Sequence, residues 1–205
     1  MAALASLEIE NLACVRGGRL VFRGLGARVE GGGLLTVEGA NGSGKTSLLR
    51  LIAGLSMPQQ GTVRLRTNGG GEIAEPEDRA RHIGWLGHQD GVKRQLTPLE
   101  QLRFFAEFYG GTADEEATLS RVGLSTARDL PIQYLSAGQK KRLALARLQV
   151  SGRPLWLLDE PLAALDVEGK SLVADLIGAH CAAGGIAVAA THESLGIACE
   201  RLHLA

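Results

Sequence analysis

The sequence predicts an α/β fold, with a parallel sheet flanked by helices and a largely helical segment inserted into it. Three observations carry this. The run Gly39-Ala40-Asn41-Gly42-Ser43-Gly44-Lys45-Thr46 fits G-x-x-x-x-G-K-[ST] at every fixed position and follows the apolar Leu34-Leu35-Thr36-Val37, so a phosphate-binding loop joins a strand to a helix. Leu155-Trp156-Leu157-Leu158 and the segment 185–191 are apolar runs of strand length, suited to strands buried on both faces. Between these landmarks, residues from about 90 to 150 read as helix.

Taken in order, Leu7 to Leu12 alternates with period two and predicts a half-buried strand. Residues 19–29 predict a second strand, and Leu34–Glu38 feeds the glycine loop. A helix starts at about Lys45 and stops at Gly54. Met57 to Gly61 is a turn, Thr62 to Arg66 alternates as a strand, and Asn68-Gly69-Gly70-Gly71 is a flexible tip. Ile83 to Leu86 is a short apolar strand leading to Gly87-His88-Gln89. Thr97-Pro98-Leu99-Glu100 opens a helix with a capping-box pattern that runs to Tyr109 before Gly110. A second helix covers about 114–122, and a third, amphipathic one starts near Ser136, with Leu143, Ala146 and Leu148 on one side. The core resumes at Leu155, continues through a helix at about 167–179, and ends with strand 185–191 and an edge at Leu202–Leu204.

The bulk numbers bound the function. In 205 residues there are 22 Lys+Arg and 22 Asp+Glu, for zero net charge. A general nucleic-acid grip needs basic excess, so none is expected. No run of about 18 apolar residues exists to span a bilayer. The N-terminus lacks a charged segment followed by a long apolar one, so it does not read as a signal peptide. Cys14, Cys181 and Cys199 are far apart without a C-x-x-C pair, which favours reduced thiols over metal or disulfide use. No C-x-x-C-H occurs, so haem is not attached covalently.

The loop fixes a ligand class. Its glycines bring backbone N–H groups close to phosphate oxygens, and the helix beginning at Lys45 adds the positive end of its dipole. Gly39, Ala40, Asn41, Gly42, Ser43, Gly44, Lys45, Thr46 and Ser47 are the candidate nucleotide-binding residues. Lys45 supplies a point charge for the terminal phosphates and Thr46 a hydroxyl for Mg2+. Asp159 and Glu160 end the strand at Leu158, where ligands of parallel sheets sit. Asp159 is the candidate for the magnesium shell and Glu160 for polarising the attacking water. Ser136 opens its helix with Ala137, Gly138 and Gln139. It can simply cap that helix, or it can form a second anion site, which would clamp the same phosphates from another copy of the chain.

These residues together resemble the ordered motif set of an ABC ATPase nucleotide-binding domain: Gly39–Thr46, Gln89 after a strand, Leu135-Ser136-Ala137-Gly138-Gln139, Leu155–Glu160, Ala164-Leu165-Asp166 and Thr191-His192. The L-S-x-G-Q element discriminates, because other P-loop proteins lack it. Closer still, Trp85-Leu86-Gly87-His88-Gln89-Asp90-Gly91-Val92-Lys93, Val37–Gly42, Ala144–Leu148 and the short end after His192 resemble the CcmA family, the haem-exporter ATP-binding subunits of bacterial cytochrome c maturation. The resemblance implies a P-loop NTPase core of the ABC ATPase type with an antiparallel β edge and a helical subdomain at about 90–150, all in one domain spanning 1–205. It implies ATP and Mg2+ as ligands, with Thr46, Gln89 and Asp159 around the metal and Glu160, His192 and Gln89 as the catalytic set. Ser136, Ala137, Gly138, Gln139 and Asp166 are implied to act across an ATP-dependent homodimer. It implies a membrane-spanning ABC subunit and other cytochrome c maturation proteins as partners, at the cytoplasmic face of the bacterial inner membrane, with membrane contact only through them.

Two positions depart from the family pattern. Where an aromatic side chain usually stacks on adenine, the matching place offers Arg16, whose guanidinium can also stack on a base. Ala163 stands where the S-A-L-D segment usually has serine. Taken alone, His192 after an apolar strand is more often structural than catalytic. Lys140-Lys141-Arg142 reads as the exposed face of its helix, and Trp85 and Trp156 as core. The rivals are the ATPase of another small ABC exporter and a soluble ABC ATPase acting on nucleic acid. A single motif set, no extended heptads and no basic excess argue against the second.

Overall fold

The computed structural model describes residues 3–87, 91–111 and 113–204. Two sheets form the β framework. β1 (Leu4–Arg16), β2 (Arg19–Glu30), β4 (Gln60–Thr67) and β5 (Glu72–Ile73) make an antiparallel sheet in the order β2-β1-β4-β5. β3 (Leu34–Glu38), β6 (Ile83–Leu86), β7 (Leu155–Asp159), β8 (Ile186–Ala190) and β9 (Glu200–His203) make a five-stranded sheet ordered β6-β7-β8-β3-β9. Every neighbouring pair in it is parallel, so the carboxyl ends of these strands share one edge.

Period-two alternation splits the five-stranded sheet between two cores. Leu155, Leu157, Ile186, Val188, Leu35 and Val37 pack with Leu48, Leu49 and Ile52 of α1 (Lys45–Ile52) and with Leu7, Ile9 and Leu65 of the antiparallel sheet. Trp156, Leu158, Ala187 and Ala189 face the other core. That core is filled by α3 (Pro98–Tyr109), α4 (Glu115–Arg121), α5 (Ala137–Ser151) and α6 (Val167–Ala182). Each fully buried leucine contributes roughly 1.5–3 kcal/mol relative to exposure.

Local chemistry sets the helix ends. Thr97 and Glu100 form the expected capping box on α3, with Glu100 N–H donating to Thr97 Oγ1 at 3.2 Å and Thr97 N–H to Glu100 Oε2 at 2.8 Å. Gly110 ends it with φ +67°, which glycine adopts without strain.

Two expectations change. α5 is not amphipathic: Leu143, Ala144, Leu145, Ala146, Leu148 and Val150 are all buried, because other helices cover the face that the central sheet leaves open. For the same reason Lys141 is only 4% exposed and Lys140 and Arg142 are half-buried, so this triplet is not a solvated face. β5 and α2 (Pro76–Ala80) escaped the sequence reading, since two- and five-residue elements are too short to show a period.

Arg79 in α2 explains why so short a helix is ordered. Its buried guanidinium donates to the carbonyls of Val63 (2.7 Å), Ala74 and Leu51 (3.5 Å). It thereby ties β4 and the C-terminal turn of α1, where a cation is favoured by the helix dipole. Burial pulls the Arg79 pKa down, partly offset by Glu75 and Glu77.

Candidate active site

The phosphate loop, the acidic end of β7 and the end of β8 converge on the carboxyl edge of the parallel sheet, as open α/β sheets place their ligands. An open pocket of about 380 Å³ lies there, lined by Arg16, Val21, Asn41, Gly42, Gly44, Lys45, Thr46, Ser47, Asp159 and Glu160.

The loop's shape depends on its glycines. At Gly44, φ is +103°, and an added Cβ would sit 2.4 Å from Val21 Cγ1 and 3.2 Å from the Phe22 ring. Glycine is therefore needed both for the dihedral and for the close approach of β2. At Gly42, φ is +88° with nothing within 4 Å of an added Cβ, which leaves the loop's pocket side open.

Lys45 is 7% exposed, and its ammonium donates to the carbonyls of Gly39 (2.7 Å) and Ala40 (3.2 Å). The same ammonium is 4.0 Å from Glu160 Oε1. Thr46 Oγ1 donates to Asp159, 2.9 Å from Oδ2 and 3.1 Å from Oδ1. Ser47 is buried at the start of α1 and hydrogen-bonds with Cys14, whose thiol pKa burial pushes up, against a smaller opposing effect of Arg16. Ser43 Oγ is buried without a partner.

The two acids separate as their chemistry requires. Asp159 is the last residue of β7 and 5% exposed. Glu160 leaves the strand with φ +48°, held by its N–H donating to Ala190 O at 2.9 Å. A non-glycine residue in the left-handed region is uncommon and costs about 1–3 kcal/mol, a strain that clusters at functional sites. The turn swings the Glu160 carboxylate to His192, whose Nδ1 lies 3.0 Å from Oε2. His192 is otherwise open to solvent, its side chain 63% exposed.

The helix-opening residues lie elsewhere. Ser136 caps α5: its Oγ accepts from Gln139 N–H at 3.1 Å, and Gln139 Oε1 accepts from Ser136 N–H at 2.8 Å. Asp166 Oδ1 caps α6 by accepting from Gly169 N–H at 2.8 Å. A Cβ at Gly138 would lie 3.5 Å from Ala164 O, so Ser136–Gln139 and Ala164–Asp166 form a second cluster within the chain. None of these residues lines the phosphate-loop pocket.

Gln89 lies outside the described residues, with His88 and Asp90. Arg16 ends β1 at the pocket rim, beside a turn of Gly17 and Gly18. Val21 is a pocket residue that the sequence reading missed; only the tertiary approach of β2 to Gly44 reveals it. Trp156 is buried as expected, while Trp85 is half-buried at the other core.

The pocket fits a nucleoside triphosphate with Mg2+. Ser43 Oγ is a buried donor without a partner, and among the described residues the Lys45 ammonium is held by two carbonyls and a distant carboxylate. The Thr46–Asp159 pair offers hard oxygen ligands. Among the described residues no cluster of three or more His, Cys, Asp or Glu could hold a metal. A cation here would draw on one carboxylate, one hydroxyl and substrate phosphates, which is how magnesium is usually held.

This fold and this site define an ABC-type ATPase. The ABC transporter family model matches residues 22–163. The folds of a putative ABC transporter ATP-binding protein from Pyrococcus furiosus (TM-score 0.83, 23% identity, 97% of each chain) and of a bacterial Atm1-family ABC exporter with ATP bound (TM-score 0.82, 22% identity, 100% of this chain and 38% of the other) are alike. Within that class the chain belongs to the CcmA family. It is 50% identical over 199 residues, 97% of both chains, to the cytochrome c biogenesis ATP-binding export protein CcmA of Rhodopseudomonas palustris (strain BisB5). It is 47% identical over 208 residues, 98% of both, to that of Methylococcus capsulatus.

Proposed function

We propose that this chain is the ATP-hydrolysing subunit of a membrane ABC complex for cytochrome c maturation, powering haem export or delivery, or release of a haem-loaded chaperone. The placement of Glu160 carries it: a strained turn sets its carboxylate between Lys45 and His192 at the rim of the phosphate-loop pocket. There Glu160 is the general base for the attacking water, His192 contacts the γ-phosphate, and Lys45 exchanges its carbonyl partners for phosphate oxygens. Thr46 and Asp159, with Gln89, would hold magnesium, which when bound would offset the negative charge of the phosphates. Arg16 stacks on the base.

Ser136 and Gly138 contact the γ-phosphate of a second copy, and Asp166 communicates across the dimer. In support, these residues are remote from their own chain's pocket, and the apolar Val167 beside Asp166 is 85% exposed. Two copies then sandwich two ATP molecules. ADP lacks the shared phosphate, so dimerisation follows the nucleotide state.

We take 1–205 as one nucleotide-binding domain, the helices at about 90–150 being its subdomain. Among the described residues no helix is long and apolar enough to cross a membrane. In this reading, which the likeness to CcmA export proteins supports, the chain works at the cytoplasmic face of the inner membrane through a membrane-spanning ABC subunit and other cytochrome c maturation proteins. The test is phosphate release by Glu160→Gln, with co-purification of the membrane partners. Hydrolysis should fall by about 10²–10⁴-fold while ATP binding persists. Unchanged turnover would remove Glu160 as the base.

A further inference from the structure

We infer that Lys170 and Glu193 form a positioning couple that ties the first turn of α6 to His192, so that the dimer-facing segment 164–166 sets the geometry of hydrolysis. This rests on the proposed role of His192.

The chain of contacts is continuous. Asp166 caps α6, and its carbonyl accepts from Lys170 N–H at 2.9 Å. Lys170 therefore sits one turn into the helix that Asp166 caps. Its ammonium pairs with Glu193 Oε2. Glu193 belongs to a tight turn: its N–H donates to Thr191 Oγ1 at 3.0 Å, and Thr191 Oγ1 donates to Glu193 O at 3.1 Å. Thr191 is buried, and its N–H donates to Val37 O at 3.2 Å, at the strand that feeds the phosphate loop. His192 lies at the middle of this turn, its ring exposed and reaching Glu160. The Lys170 hydrogen bond, helped by the charges of Lys170 and His192, holds the Glu193 carboxyl below its usual range.

Both partners are more than a third exposed, at 39% and 37%, and an exposed pair adds little to stability. Its effect lies in aim. Displacing a reacting group by about 1 Å can cost on the order of 10²-fold in rate. Lys170 does not line the phosphate-loop pocket, so its loss should act through His192 on turnover and spare nucleotide binding.

The experiment measures steady-state ATP hydrolysis by the full chain, purified with its membrane partners. Lys170→Met and Glu193→Gln should each lower kcat about tenfold with KM for ATP unchanged. The double variant should be no worse than either single one, and Lys170→Arg should restore the rate. Unchanged kcat, a matching rise in KM, or additive losses in the double variant would overturn the inference. Glu160→Gln and His192→Ala run alongside. If they hydrolyse normally, the assignment of the site fails; if they are inactive while Lys170→Met is not, only the coupling fails.

Discussion

Replacing His180 by Phe tests how α6 is anchored over the strand that carries the acids. The His180 ring stacks on Trp156 of β7, centroids 4.0 Å apart and planes 9° from parallel, and its Nε2 lies 3.1 Å from Ile186 O. Burial lowers its pKa from the ordinary 6.5 to about 4, against smaller opposing effects of hydrogen bonds to the Ile186 and Pro154 backbone. That gap corresponds to roughly 3 kcal/mol. In the unfolded chain the imidazole takes up a proton near pH 6.5, whereas in the folded chain it stays neutral until about pH 4. The stabilisation is therefore complete above pH 6.5 and is lost progressively as pH falls towards 4. Between pH 7.5 and 5.0 the loss from this group is about 2 kcal/mol. Phe keeps a flat ring against Trp156 but does not titrate. Urea unfolding followed by tryptophan fluorescence at both pH values, for wild type and His180→Phe, isolates the effect, since other titrating groups cancel in the difference. Wild type should lose about 2 kcal/mol more than the variant on acidification. Equal losses would refute the burial argument.

Three further outcomes are expected. Ser136→Asp retains an oxygen that caps α5, so stability should hold, but its charge would oppose the partner's γ-phosphate; light scattering should show no ATP-dependent dimer in a Glu160→Gln background. Arg16→Ala should weaken ATP binding about two- to fivefold by calorimetry if the guanidinium stacks on adenine. Arg79→Met leaves the carbonyls of Leu51, Val63 and Ala74 without this donor; roughly 3 kcal/mol should be lost, seen as a Tm about 10 °C lower by calorimetry.

By itself the sequence determined what is local. Gly39–Thr46 makes its own loop, and the strand before it and the helix after it are adjacent in the chain, so ligand chemistry and loop geometry were legible together. The apolar runs at Leu155 and Ile186 announced buried parallel strands because both faces must exclude water. Thr97–Glu100 wrote its own cap. Tertiary structure decided what depends on contacts between distant segments. The sheet order places β8 between β7 and β3, and so brings His192 to Glu160 across 32 residues of chain. The positive φ of Glu160, the approach of Val21 to Gly44 and the pairing of Lys170 with Glu193 have no sequence period to betray them. Burial of Lys141 and of both sides of α5 was likewise hidden. A helix's hydrophobic pattern reports how much apolar surface it carries, while its neighbours, set by chain topology, determine which of its faces meets water.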